Sequence, residues 1–263
     1  MKTYKQHYEE CKSAYGNSDK SVYDLTVLQN TLSFDVENFD LLANEVRGRL
    51  DDGLGCIEDK WATKLNEWRD IESLSLFCSE VMPQIEETIF GCYLKIEHIH
   101  PYRVKHDTTR ESSWSWHYDD CPKEFIKLAI HLNDTKDHSG CMQVLLGPNG
   151  TVPVLDTYRL DPSAVKGYPP PVFPKTRVPS NFLTDIRANG GKFYNLSGDK
   201  ASHYIFTPNV IHRGTIPVRY LEPRDAIFFF LRPSLQKIED YTKNANSFEP
   251  ERNVKKYEDR KST

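Results

Sequence analysis

Apolar positions recur at helical spacing through residues 1–91, which predicts that this part of the chain is mostly helical and supports a sheet. One stripe repeats every three or four residues and consists of Ile71, Leu74, Phe77, Val81, Ile85 and Ile89. Pro83 should kink this helix, and Gly91 is placed to end it. An earlier stripe ends before a stop signal at Gly53 and consists of Phe39, Leu42, Val46 and Leu50.

From Cys92 the period of the pattern changes to two, which predicts strands. The first predicted strand alternates through Leu94, Ile96, His98 and His100, and further apolar runs lie at 125–132, 141–146, 192–196, 203–206 and 226–231. A parallel doubly wound sheet would need regular strand–helix alternation, which is absent after residue 92. The pattern favours a mainly β, α+β fold: an antiparallel jelly-roll or cupin-like barrel (double-stranded β-helix) with helical N-terminal support on one side.

Residues 151–192 form a proline-rich stretch, and this proline density excludes central strands. A long irregular insertion in a compact domain is typically an active-site lid or a binding loop. We expect one domain over residues 1–235, with a jelly-roll core at 92–235 that carries this lid-like insertion. A polar C-terminal tail at 236–263 should form a short helix and a frayed end.

Composition narrows the class of protein. The 263 residues are enough for one substantial core, and a net charge of −4 gives no electrostatic footprint for nucleic acid or for an anionic membrane. The six cysteines show no CxxC motif, so neither a zinc site nor a disulfide framework is indicated. The first residues lack an apolar signal core, and no stretch approaches the roughly 18 apolar residues of a membrane span. We therefore expect a soluble, cytoplasmic protein.

The most informative chemistry is the pair His117 and Asp119, which would project from the same face of a strand. His212, from a different strand, would complete a face of two histidines and one carboxylate. This ligand set leaves three neighbouring positions open and is typical of non-haem Fe(II) oxygenases. Arg224 offers a planar charged fork that could bind a carboxylate with two hydrogen bonds, as the distal end of 2-oxoglutarate would require. The alternative is a chance pattern on a metal-free jelly roll.

Five short segments carry a closer resemblance: WHYD at 116–119, IKLAIHLND at 126–134, SGCMQVLLGP at 139–148, IHRGT at 211–215 and PRDAIFF at 223–229. Together they resemble the phytanoyl-CoA dioxygenase-like family of Fe(II)/2-oxoglutarate-dependent oxygenases. Members of that family carry an HxD motif, a strand that ends near Leu-Asn-Asp and a glycine-containing hairpin. The resemblance covers roughly residues 92–235.

The resemblance implies that Fe(II), 2-oxoglutarate and O2 are used, with iron held by His117, Asp119 and His212 and no catalytic residue beyond the metal centre. It places the 2-oxoglutarate-binding arginine at Arg224. Many members have a serine two residues after the distal histidine, where this chain has Gly214, and we expect Thr215 to supply that contact instead. An aspartate ligand implies hydroxylation or desaturation, because halogenating relatives carry a small residue there.

Several positions keep competing interpretations. Arg224 could instead form a structural salt bridge with Asp225 or Glu222, and Arg219 or Arg232 could be the real carboxylate clamp. For the remaining candidates we favour structural roles over chemical ones. They are His98 and His100 (core or rim residues rather than an HxH metal pair), Trp114 and Trp116 (core packing rather than stacking on substrate), Lys127 (an exposed strand lysine rather than one that reaches a carboxylate) and Arg213 (a structural partner rather than a substrate clamp).

The expected function is hydroxylation or desaturation of an unactivated C–H bond in a small polar metabolite such as an amino acid, with release of succinate and CO2. One alternative is a peptide or protein hydroxylase with the same chemistry, in which the proline-rich insertion holds the peptide. Another is a non-catalytic ligand-binding protein on an oxygenase scaffold. No nucleic-acid or membrane partner is expected, and the sequence names neither the substrate nor the oligomeric state.

Overall fold

Three α-helices lie in the first part of the computed structural model, which describes residues 3–59, 61–106, 114–119, 121–148, 177–178, 180–208 and 210–247. They are α1 (Tyr4–Tyr15), α2 (Val36–Asp52) and α3 (Glu72–Ile85). The predicted stripes are the buried faces of α2 and α3, and Gly53 and Gly91 stop helices with left-handed φ angles of 68° and 65°. Pro83 does not end α3, which changes into a π-helical turn at Glu86–Phe90. Among the described helices, none is long and apolar enough to cross a membrane.

The larger of two sheets has seven antiparallel strands in the order β1-β8-β5-β10-β4-β3-β2. They are β1 (Leu28–Gln29), β2 (Cys56–Glu58), β3 (Ala62–Leu65), β4 (Leu94–Val104), β5 (Ile126–His131), β8 (His203–Phe206) and β10 (Asp225–Pro233). The alternating pattern predicted β4, β5, β8 and β10. It missed β1, β2 and β3, which lie in the part expected to be helical, because these segments show neither an apolar run nor a clear alternation.

The smaller sheet has three antiparallel strands in the order β7-β6-β9. They are β6 (Met142–Leu146), β7 (Lys192–Leu196) and β9 (His212–Gly214). Isolated bridges continue this sheet past β9, because His117 pairs with His212 and also with Arg177. Two antiparallel sheets with helices beside the larger one agree with the mainly β, α+β class that the sequence predicts.

Alternate residues of the central strand β10 face opposite sides of the larger sheet. Ile227 and Phe229 belong to the core shared with the helices, where the rings of Phe229 and Phe77 lie 6.0 Å apart. Ala226 and Phe228 belong to a second cluster, which also contains residues of the smaller sheet. The larger sheet therefore separates a helix-covered core from an inner space that faces the smaller sheet.

The proline-rich stretch is only partly described. Residues 180–188 form helix α4 (Ser180–Ala188), so this end of the stretch is regular rather than irregular. Residues 151–176 and Pro179 lie outside the described residues, and the lid remains a prediction.

The expectation of a short helix in the tail is wrong for residues 236–247, which contain no helix. Tyr241 and Ala245 are buried there, and the Tyr241 hydroxyl donates to Oε1 of Glu86 at 3.1 Å. The buried carboxyl group and the tyrosine hydroxyl satisfy each other, which fixes this segment on the core. The remainder of the predicted tail, 248–263, lies outside the described residues.

Candidate functional site

The structure brings His117, Asp119 and His212 together at one point. His117 and His212 exchange backbone hydrogen bonds of 2.9 and 2.7 Å, which places the two imidazoles side by side with centroids 4.3 Å apart. Nε2 of His117 lies 3.8 Å from Oδ1 of Asp119, and Nε2 of His212 lies 3.8 Å from Oδ2 of the same carboxylate. All three candidate ligand atoms lie within 4.8 Å of one another, as a shared metal ion requires.

Both histidines are held in the orientation that a metal ligand needs. Nδ1 of His117 lies 2.8 Å from the carbonyl oxygen of Ser115, and Nδ1 of His212 lies 2.7 Å from that of Val210. A proton on Nδ1 that donates to these carbonyls leaves the Nε2 lone pair free for a metal. Burial lowers the pKa of His117 to about 3, with the neighbouring His212 adding to the effect, and burial lowers the pKa of His212 to about 4. The neutral imidazoles are the form that binds a metal.

Asp119 is held as a carboxylate by nearby positive charge. Burial alone would raise its pKa, but the charge of Lys127, the neighbouring rings of His212 and His117 and the hydrogen bond from Lys127 outweigh burial and hold the pKa below its usual range. The Lys127 Nζ contacts Oδ2 of Asp119 directly. The prediction that Lys127 is an exposed strand lysine is wrong, because its side chain is enclosed between the sheets and every position of β5 is buried.

Arg224 is a buried cation with unused donors. The residue is 3% exposed, and its Nη2 donates to the Tyr102 hydroxyl at 2.6 Å. Its guanidinium also lies 5.3 Å from the Tyr102 ring and 5.9 Å from the Phe228 ring. Its Nε and Nη1 are buried with no hydrogen-bond partner among the described residues. A buried charge without an anion is costly, so this guanidinium fits a ligand carboxylate.

The acidic residues next to Arg224 are occupied by other arginines. Asp225, fully buried, accepts from Nε of Arg47 at 3.0 Å and from Nε and Nη2 of Arg103 at 2.7 and 2.6 Å. Glu222 contacts Arg47. The structural salt bridge considered for Arg224 is therefore not formed in the described residues.

The two rival arginines lie away from the triad. Arg219 is exposed, and Nε of Arg232 lies 2.6 Å from Oε2 of Glu97. Neither residue lines the cavity that contains the triad. Arg224 does line it, as the sequence led us to expect.

The ion network at Asp225 fixes the backbone beside Arg224, and its loss should be measurable as a loss of stability. Asp225→Ala would leave two arginines without their buried partner, which we expect to lower the free energy of unfolding by about 3–5 kcal/mol. Asp51→Ala removes an exposed partner of the same Arg103 and should cost about 1 kcal/mol or less. Urea unfolding of both variants checks this, and equal losses would show that the network is not the cause.

The triad and Arg224 open into one cavity of about 200 Å3 between the two sheets. Its apolar wall is aromatic and consists of Trp61, Tyr102, Trp114, Phe228 and Phe230. Lys64 and Lys127 also line it, and Asp119 is the one acidic residue among the described lining. The cavity therefore combines a metal-binding corner, an apolar wall and an excess of positive charge.

Thr215 is placed differently from the other predicted site residues. Its hydroxyl donates to the carbonyl oxygen of Cys141 at 2.9 Å, and it is not part of the described cavity lining. Gly214, two residues after His212, does line the cavity. The contact of Thr215 with a cosubstrate stays a prediction. Tyr102, which sequence reasoning missed, continues the inward alternation of His98 and His100 along β4.

Of the aromatic and basic residues next to the metal motif, some pack within the protein and one lines the cavity. Trp116 stacks on Phe193 with centroids 4.5 Å apart, and the Arg213 guanidinium lies 4.7 Å from the Trp116 ring while its Nε donates to Gln143 at 2.8 Å. These contacts are the packing and structural roles that we predicted. Trp114, in contrast, lines the cavity.

His98 and His100 lie with ring centroids 5.6 Å apart on β4, and His100 lines the cavity. Burial lowers the pKa of His100 well below its ordinary value, with His98 and Lys64 adding to the effect. Within the described ranges, the group of His, Cys, Asp and Glu side chains arranged to hold a metal is the triad, and the HxH pair does not belong to it.

Several solved structures resemble this chain over most of its length. A crystal structure of EctD from S. alaskensis with bound Fe aligns over 86% of this chain and 78% of its own, with 13% identity and a TM-score of 0.54. The epimerase SnoN, solved with Fe3+, alpha ketoglutarate and nogalamycin RO, aligns over 93% and 96%, with 10% identity and a TM-score of 0.55. The non-heme alpha ketoglutarate dependent carbocyclase SnoK from nogalamycin biosynthesis aligns over 85% and 90%, with 13% identity and a TM-score of 0.54.

No family model matches the sequence, and no curated protein matches it. At identities this low, the likeness to the solved structures concerns the fold. It confirms the predicted jelly-roll class, with the larger sheet packed against helices and the smaller sheet facing the cavity.

Proposed function

We propose that this chain is an Fe(II)- and 2-oxoglutarate-dependent oxygenase. The observation that carries the proposal is the meeting of two features in one cavity: a two-histidine, one-carboxylate face and a buried arginine with unused donors. A structural metal site would close its coordination shell with protein ligands, whereas three ligands on one face leave positions for a cosubstrate. A non-catalytic binding protein would have no need for both features.

The residues of the cavity fit an iron ion and 2-oxoglutarate. His117, Asp119 and His212 would hold iron, and Arg224 would receive the distal carboxylate of 2-oxoglutarate through its unused Nε and Nη1. Iron and 2-oxoglutarate together would activate O2 for the removal of hydrogen from an unactivated C–H bond, with succinate and CO2 as co-products. The position that carries serine in many members of the resembled family is Gly214, which lines the cavity without a side chain.

The chain itself would orient the reactants and exclude water. The carbonyl oxygens of Ser115 and Val210 fix the two imidazole rings, so the ligand atoms are in place before metal binding. The Tyr102 hydroxyl, which accepts a hydrogen bond from Arg224, fixes the guanidinium plane. The aromatic wall keeps the surroundings dry, which strengthens the charged contacts of the site.

For the substrate, we propose a small polar metabolite such as an amino acid, which is hydroxylated or desaturated in the cytoplasm. The fold alone does not decide which reaction is catalysed, since the similar structures include an epimerase and a carbocyclase. Asp119 supports hydroxylation or desaturation, because its carboxylate occupies the place that a halide would need. A peptide hydroxylase of the same chemistry is the alternative.

A substrate screen tests the proposal. The protein is incubated with Fe(II), 2-oxoglutarate and pooled metabolites, and mass spectrometry searches for products that gain one oxygen atom or lose two hydrogen atoms. We expect such a product together with an equal amount of succinate, and neither with the His212→Ala variant. A scaffold without catalysis would bind metabolites and release no succinate, and a peptide hydroxylase would modify peptides only.

A further inference from the structure

Lys127 is a buried lysine that the proposed chemistry does not yet use. It is 5% exposed, its Nζ lies 4.6 Å from the centroid of the Phe230 ring, and it contacts Oδ2 of Asp119. A buried ammonium group needs an anion to offset its loss of hydration. Among the described residues, Asp119 is the carboxylate that supplies it.

Asp119 cannot neutralise Lys127 fully once it also binds a metal. In the proposed function its single negative charge is shared with a divalent cation. The Lys127 ammonium then lies beside that cation with less compensation than it has in the metal-free protein. A second anion close to Lys127 would restore the balance.

The strand register places Lys127 far from Arg224. On the inner face of the larger sheet, Lys127 pairs with Phe230, whereas Tyr102, which binds Arg224, pairs with Ala226. Ala226 and Phe230 are four residues apart along β10, so their Cα atoms are roughly 13 Å apart at the rise of a strand. The Arg224 guanidinium lies beside the rings of Tyr102 and Phe228, whereas the Lys127 ammonium lies over Phe230, so the two cations lie toward opposite ends of the cavity.

With a divalent metal ion and 2-oxoglutarate bound, the cavity would carry a net charge of one positive unit. The metal contributes two, and Arg224 and Lys127 contribute one each, against two negative charges of 2-oxoglutarate and one of Asp119. The other lysine of the lining, Lys64, has its own partner, since its Nζ lies 2.6 Å from Oδ2 of Asp59. The excess charge therefore belongs to the end of the cavity where Lys127 lies.

We propose that Lys127 binds a carboxylate of the substrate, so that the substrate is a small carboxylic acid whose apolar part lies against the aromatic wall. This inference rests on the proposed function and narrows its substrate class. The Lys127 ammonium lies over the ring of Phe230, and both residues line the cavity that contains the triad. The site then has two anion-binding ends: Arg224 for the cosubstrate and Lys127 for the substrate.

Titration of the loaded protein with simple carboxylates tests this. Protein loaded with Co(II) and saturated with 2-oxoglutarate is titrated with acetate, butanoate and benzoate and with the matched amides, and binding is followed by Co(II) absorption and by calorimetry. We expect saturable binding of at least one carboxylate and none of its amide. Lys127→Met should weaken that binding by roughly tenfold or more, and Lys127→Arg should largely retain it.

Lys64→Met is the matched control, since it removes the same charge from the same cavity, and it should leave carboxylate binding unchanged. The proposal is overturned if no carboxylate binds saturably, if the amides bind as well as the acids, or if both lysine variants lose the same affinity. It is also overturned if Lys127→Met weakens 2-oxoglutarate instead. Failure to take up Co(II) or 2-oxoglutarate would appear earlier, at loading, and would refute the proposed function itself.

Discussion

Replacing His117 or His212 by alanine is expected to abolish turnover and to weaken Fe(II) binding more than about 100-fold. Each change removes one of three ligand atoms that lie within 4.8 Å of one another, and two ligands on one face hold a divalent metal poorly. Loss of a group that only orients a ligand already costs about 10- to 100-fold in metal affinity, so loss of the ligand itself should exceed this. Metal affinity is measured by anaerobic titration and turnover by succinate release.

His203→Ala is the matched control for these variants. His203 is also buried, but its Nε2 accepts from the backbone N–H of Leu32 at 2.9 Å and plays no part in the triad. This variant should lose stability and keep its metal affinity. Full activity in either triad variant would refute the ligand assignment.

Replacing Arg224 by lysine should weaken 2-oxoglutarate binding by about 2–5 kcal/mol, because a two-pronged charged contact in a buried site is lost. The loss is measured by calorimetry on protein loaded with Co(II). The ligand 2-oxovalerate lacks the distal carboxylate, so its binding should be nearly the same in both proteins. A penalty of equal size for both ligands would place the distal carboxylate elsewhere.

Arg219→Ala and Arg232→Ala are the controls, since both residues lie outside the described cavity lining. Each should change 2-oxoglutarate affinity little. If either variant weakens binding more than Arg224→Lys, the clamp is that arginine and the present assignment is wrong.

Much of the site could be predicted because its chemistry is encoded by local spacing. His117 and Asp119 share a face through a separation of two residues, and Arg224 directly precedes a strand whose apolar run is unmistakable. The strands β4 to β8 and β10 were predictable for a similar reason, since each shows either an alternation with a period of two or a continuous apolar run, whereas the three residues of β9 show neither. The helical stripes of α2 and α3 repeat over several turns and were equally clear.

What escaped prediction depends on partners that only the folded structure brings into contact. Lys127 is a charged residue in a strand, and its burial becomes acceptable only because Asp119, supplied by a separate segment, lies against it. Tyr102 looks like any buried aromatic residue until β10 brings Arg224 beside it. The tail around Tyr241 was misjudged because its anchor, Glu86, belongs to the end of a helix far away in the chain.

The most direct test of the central claim is an anaerobic titration of the protein first with Fe(II) and then with 2-oxoglutarate, followed by calorimetry and visible absorption. We expect one metal ion per chain, one 2-oxoglutarate per metal ion, and a visible band that develops only when both are present. His212→Ala should show none of these, and Arg224→Lys should bind iron normally but need much more 2-oxoglutarate. Iron-loaded protein that does not bind 2-oxoglutarate, or a cosubstrate that binds equally well without the metal, would refute the proposed oxygenase site.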